Sequence, residues 1–236
     1  HHAVFFSFIS IIFLLLALKE NKDKFWFFVP IFLFISFLSK QIPSAYLLFL
    51  FFFTVLIFIY IIPVKKFRFL FFLFLGSITP LITLFIFFLT NEIPLENFLL
   101  QYIFFPYEIG AERNLKIDFS LNNILYKYKF IYFSLIPLSI VLYKVIKKKL
   151  YKKLEVKKDL FIILLTCLSV LVFIYAQILT KNQILIFFLI PFCLGISHFY
   201  IRKYYNKKII INFILVVLIL STFKFHLRFN EDKKFM

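Results

Sequence analysis

The chain has 236 residues, 63% of them hydrophobic and 23% aromatic, with 40 phenylalanines, only 3 glycines and a mean hydropathy of +0.97. A soluble domain is about 45–50% apolar, so this composition excludes one and describes a chain whose solvent is mostly lipid. The formal charge of +17 would suit a nucleic acid, but it sits in short loops between apolar runs, which excludes that partner in favour of a lipid bilayer.

Eight apolar stretches follow one another: Ala3–Leu18, Phe25–Leu38, Tyr46–Ile62, Phe67–Leu89, Phe130–Ile146, Leu160–Leu179, Ile184–Tyr200 and Ile209–Phe223. Most approach the roughly 20 residues a helix needs to cross a bilayer. Hydrocarbon leaves no backbone polar group unpaired, and turn chemistry this sparse favours helices over a barrel. The expected fold is therefore all-α: a polytopic integral membrane protein of about eight transmembrane helices plus one interfacial amphipathic helix.

Basic residues are heavy and light in alternation along the loops. Lys19, Lys22 and Lys24 follow the first stretch, Lys65, Lys66 and Arg68 the third, eight lysines from Lys144 to Lys158 the fifth, and Arg202, Lys203, Lys207 and Lys208 the seventh. The loops between hold Lys40, then Arg113, Lys116, Lys127 and Lys129, then Lys181. The positive-inside rule places the heavy set in the cytoplasm. Omitting the short second stretch would reverse every later span, so the charge pattern supports it. Residues 1–223 form the transmembrane domain in this reading. The ends, His1-His2-Ala3 without an initiator methionine and a sole methionine at Met236, give the expectation of an internal fragment whose residues 224–236 begin a truncated extracytoplasmic tail or domain.

One loop, residues 90–129 on the outer face, is long enough to do more than connect. Leu95, Phe98, Leu99, Tyr102 and Ile103 recur at helical spacing in it, predicting an amphipathic helix over 94–105 that starts after Pro94, ends at Pro106 and lies flat in the interface. Tyr107, Glu108, Glu112, Arg113, Lys116 and Asp118 follow. They are candidates for a site, or a solvated connection whose charges face water. Ser39-Lys40-Gln41 closes the second stretch at the same face. An ammonium there either snorkels to headgroups or pairs with a phosphate. Cys167 and Cys193 have no metal-ligand spacing and read as small packing residues. Pro30, Pro80, Pro137 and Pro191 read as kinks. No glycine-rich phosphate loop, metal cluster or nucleophile motif is present, so no metal or cofactor is expected. With three glycines, helix seams have to rely on Ser, Thr and Ala.

The run from Trp26 to Gln41, a hydrophobic helix ending Leu38-Ser39-Lys40-Gln41, resembles a segment of the multi-spanning GT-C glycosyltransferases. After it come a long helix, a basic turn, a Gly-x-x-x-Pro helix from Gly76 to Pro80, and the outer segment Asn97-Phe98-Leu99-Leu100-Gln101-Tyr102. That order is similar to the middle of bacterial relatives of the dolichyl-phosphate-mannose protein mannosyltransferases and the lipid A aminoarabinose transferases, over roughly residues 1–130.

The resemblance implies a multi-pass protein of the bacterial cytoplasmic (inner) membrane. It would take a sugar from a polyprenyl-phosphate carrier to an acceptor at the extracytoplasmic face. It also implies a phosphate site of Lys40 and Gln41 assisted by Arg113 or Lys116, and a catalytic carboxylate in an outer loop upstream of residue 1. Two other readings remain: a polysaccharide polymerase or ligase, which calls for arginines in the outer loop, and a transporter or flippase, which calls for intramembrane charges and Gly-rich broken helices.

Overall fold

The computed structural model describes residues 2–61, 66–115, 120–147, 153–180, 186–205 and 208–233, and all regular structure among them is helical. In chain order the helices are α1 (His2–Glu20), α2 (Phe25–Ser39), α3 (Gln41–Ile61), α4 (Lys66–Thr90), α5 (Leu95–Leu99), α6 (Phe105–Leu115), α7 (Lys129–Lys147), α8 (Leu154–Thr180), α9 (Leu189–Tyr204) and α10 (Lys208–Lys233). Five segments have the length and apolarity to cross a membrane: His2–Glu20, Gln41–Tyr60, Phe67–Thr90, Lys129–Lys147 and Leu154–Thr180. On α3 and α4, Phe49, Phe52, Phe53, Phe74 and Phe85 are all more than half exposed. Faces this apolar belong in lipid, and the molecule is a helical membrane protein. Contacts divide the chain into two compact units, His1–Ile117 with Leu171–Thr180, and Asp118–Val170 with Lys181–Met236.

In the first unit α2 is the shared neighbour of α1, α3 and α4. It has 15 residues, about 22 Å at 1.5 Å per residue, short of a hydrocarbon core of roughly 30 Å. One face of it packs on protein, with Trp26, Val29, Leu33 and Ser36 buried, while Phe28 is exposed.

The seam with α1 uses serines, as the dearth of glycine predicts. Ser10 donates to the Val29 carbonyl at 2.7 Å, and Ser36 meets Ser7 Oγ and the Ala3 carbonyl at 2.7 Å each. These pairings run antiparallel. So do those with α3, where Ser36 lies 3.1 Å from Ser44 at one end and the Trp26 ring 5.3 Å from Phe58 at the other. Phe69 of α4 completes that aromatic cluster, 5.2 Å from Trp26 and 5.3 Å from Phe58.

One glycine does make a close crossing, contrary to the expectation that seams would do without it. At Gly76 a Cβ would fall on the Phe27 carbonyl oxygen and within 2.9 Å of Pro30 Cγ. The Gly-x-x-x-Pro helix therefore lays its glycine against the α2 backbone. Hydroxyls follow the same helix: Ser77 and Thr79 bond back to Leu73 and Leu75, one turn before Pro80. Asp23, in the loop after α1, pairs with Arg68 at the start of α4 at 3.5 Å. The first two basic loops therefore share one end of the unit.

In the second unit α9 packs against α7 and α10, and Leu138, Val141 and Val145 of α7 and Cys193, Leu194 and Ser197 of α9 are buried. Cys193 is a buried free thiol and Cys167 a partly buried one. The basic loops again share an end. Lys144 donates to the Tyr204 carbonyl at 2.7 Å and lies 3.6 Å from the Tyr205 ring centroid, so a cation caps the C-terminus of α9. Asp159, only 7% exposed, takes Lys203 Nζ and Tyr204 Oη on one carboxylate oxygen at 2.5 Å each. Tyr204 lies beyond the apolar stretch ending at Tyr200. Burial, and then the Asp159 carboxylate, pushes its hydroxyl above the usual tyrosine range. Helix α10 runs on to Lys233, past residue 224 where the sequence suggests a tail begins, because no Gly or Pro interrupts it.

Candidate functional site

Helix α2 ends at Ser39, and Lys40 is extended (φ −169°, ψ 131°) before α3 begins at Gln41. The chain reverses over Lys40 to Ile42, since Ile42 is also non-helical (φ −105°, ψ 128°). Local hydrogen bonds secure the corner. The Lys40 amide donates to Ser36 O at 2.9 Å, Ser39 Oγ to Ile35 O at 2.9 Å and Ser44 Oγ to Lys40 O at 2.9 Å. Through Ser36 the corner joins the buried serine seam. The Lys40 side chain is exposed and makes no ion pair with any described residue. It stands on a fixed backbone at the end of the unit opposite Asp23 and Arg68.

The outer segment comes to the same place. Helix α4 ends in a turn in which Ile93 N bonds Phe88 O at 3.0 Å while Glu92 adopts the left-handed conformation (φ 51°). Pro94 then precedes α5. Phe98 stacks on Tyr102 at 5.0 Å and meets Phe88 at 5.0 Å, anchoring the segment to the end of α4. Gln41 Nε2 donates to the Tyr102 carbonyl at 3.1 Å.

The segment does not stop at Pro106 as the sequence predicts. A π-helical stretch, Leu100–Phe104, leads straight into α6, which continues to Leu115. The wider turn accommodates a ring that would otherwise clash one turn back, so the proline is absorbed instead of ending the helix. Leu100, Gln101, Phe104, Phe105 and Glu108 line an open groove of about 590 Å³ on this segment.

The sequence candidates are therefore only partly gathered. Lys40 and Gln41 sit together at the corner, and Gln41 touches the outer segment. Tyr107, Glu108 and Glu112 are exposed on α6, with Glu108 in the groove. The Arg113 side chain and all of Lys116 lie outside the described residues. At the same end Tyr46 and Tyr175 meet edge to face at 5.0 Å, and the buried Gln177 has no hydrogen-bond partner for Oε1 among the described residues. Missing from the sequence reading were the supporting hydroxyls of Ser7, Ser36 and Ser44, and the Asp159 cluster. Lone serines inside apolar runs, and an acid bordering one, were the available signals. Comparison with protein families, with curated proteins and with solved structures gives no match to the chain.

Proposed function

We propose that this protein serves a membrane glycosyltransferase reaction in which a sugar passes from a polyprenyl-phosphate carrier to an acceptor at the extracytoplasmic face of a bacterial cytoplasmic membrane. Lys40 holds the carrier phosphate. The observation carrying this reading is the exposed Lys40 side chain, which has no ion pair among the described residues, set on a backbone corner that hydrogen bonds fix from both sides. Positive charge placed where a phosphate departs is the electrostatic part of such a transfer, and the acceptor hydroxyl needs a carboxylate base that none of the residues described above is assigned to be. The aromatic and aliphatic side chains lining the groove on the π-helical stretch and α6 suit the carrier's hydrocarbon, and Arg113 and Lys116 are further candidates for its phosphate.

Eight crossings belong to this proposal, with α2, α9 and α10 joining the five longer spans. The same basic-end grouping inside each unit supports it. Replacing Lys40 by Gln removes a charge-assisted bond of about 1.5–3 kcal/mol. Binding of a short-chain polyprenyl phosphate should then weaken at least about ten-fold. Equal binding by wild type and Lys40→Gln would make Lys40 a snorkelling lysine and remove the support for the reading.

A further inference from the structure

We infer that Gln41 is a positioning residue, fastening the outer helical segment beside Lys40, and that Pro106 leaves open the acceptor position it uses. Within an α-helix the carbonyl of residue i accepts from the N–H of residue i+4. Four residues after Tyr102 stands Pro106, which has no N–H to give. The Tyr102 carbonyl therefore has no α-type donor, and in the π register of Leu100–Phe104 its helical donor is the more distant Tyr107 N–H, which leaves an acceptor position open to a side chain from outside the segment. Gln41 Nε2 lies 3.1 Å from this oxygen. A side chain from the α2–α3 corner thus takes the place of the missing α-type donor.

Three features make the contact a built one. The π-helical stretch Leu100–Phe104 carries the chain through the proline without breaking the segment, so the Tyr102 carbonyl keeps a defined direction. The Phe88–Phe98–Tyr102 stack fixes the segment's attachment to α4. Ser44 and Ser36 fix the Lys40 backbone immediately before Gln41. Since Gln41 directly follows Lys40, the same bond sets where the Lys40 ammonium stands relative to the groove on the outer segment. The amide nitrogen is committed to Tyr102, so Gln41 acts on a phosphate through the placement of Lys40.

The fastening stands on geometry alone; its effect on carrier binding rests on the function proposed above. Backbone amide exchange across residues 95–110 of the whole protein in detergent tests the first part. Gln41→Met, which keeps length and loses the donor, should speed exchange there about five-fold, the size of one modest hydrogen bond. Gln41→Glu, equal in shape and without the amide donor, should do the same. Pro106→Ala returns an N–H to the helix, so adding Gln41→Met to it should change exchange little. Unchanged exchange in both Gln41 variants overturns the fastening, and an equal rise with and without Pro106→Ala overturns the part assigned to Pro106.

Polyprenyl-phosphate binding tests the second part. It should fall a few-fold in Gln41→Met, less than in Lys40→Gln, and return in the double variant. Should Lys40→Gln bind as wild type while the exchange pattern holds, the carrier reading fails and the fastening remains. A loss on Lys40→Gln with unaltered exchange in the Gln41 variants has the opposite meaning.

Discussion

At Ser36 one hydroxyl oxygen lies within 2.7 Å of Ser7 Oγ and of the Ala3 carbonyl, and 3.1 Å from Ser44 Oγ. Interhelical hydrogen bonds in bilayers average about 0.6 kcal/mol and reach about 1.7. Ser36→Ala breaks contacts to two helices at once and should lower stability by about 1–2 kcal/mol. Ser39→Ala, which loses only an exposed bond to its own helix, should stay within about 0.5 kcal/mol. Unfolding of the two variants in one detergent decides it, and equal losses would sink the argument. Tyr204 gives a pH dependence. Its folded pKa is raised above 10.0, so its stabilising contribution is whole below that pH and declines above it, as the unfolded chain gives up the proton first. Tyr204→Phe should therefore show a shallower alkaline loss of stability than wild type; parallel curves would refute this.

Two helices carry their own tests. At the end of α4 the left-handed turn position is filled by Glu92, where glycine pays no Cβ penalty. Glu92→Gly should stabilise by up to about 1 kcal/mol in thermal unfolding, and a loss would mean that the Glu92 side chain contributes more than the turn strains. In the middle of α4, Gly76→Ala drives a methyl onto the Phe27 carbonyl. Overpacking of this kind costs about 1–3 kcal/mol, and a cysteine cross-link between α2 and α4 near this crossing should form less readily. The glycine crossing was hidden in the sequence because a single small residue says nothing about which neighbour it meets. Pro106 misled for a related reason: the rule that proline ends helices holds for a regular ladder, and a π-helical turn beside it relaxes the rule.

Over the whole molecule the charge pattern was the most legible feature. Asp23 with Arg68 in one unit, and Lys144 and Lys203 at the end of α9 in the other, bring basic loops together as their alternation in the sequence predicts. Helix type was legible for the same reason, since composition and span length depend on no tertiary detail. The candidate site was legible only as far as Lys40 and Gln41, whose motif is local. Its partner Tyr102 is 61 positions away, a distance no periodicity reports. The eight crossings proposed above predict that cysteines placed at 40 and 92 react with an impermeant reagent from the outer face, and cysteines at 22 and 153 only after the membrane is opened. Labelling of 40 and 22 from the same side would remove α2 as a span.

The serine junction also has an inventory. Ser7, Ser36 and Ser44 bring three hydroxyl protons, and the Ala3 and Lys40 carbonyls claim two of them, through Ser36 and Ser44. The third belongs to Ser7, and it joins Ser7 to Ser36 when Ser36 gives its own proton to Ala3 and not to Ser44. Taking that proton away at α1 leaves the Ser36 oxygen underfilled, and the nearest replacement is the proton on Ser44, 3.1 Å distant. Rotating it there uncovers the carbonyl of Lys40. A substitution on the first helix can in this way be felt at the lysine corner, relayed by the reorientation of one hydroxyl with no helix displaced.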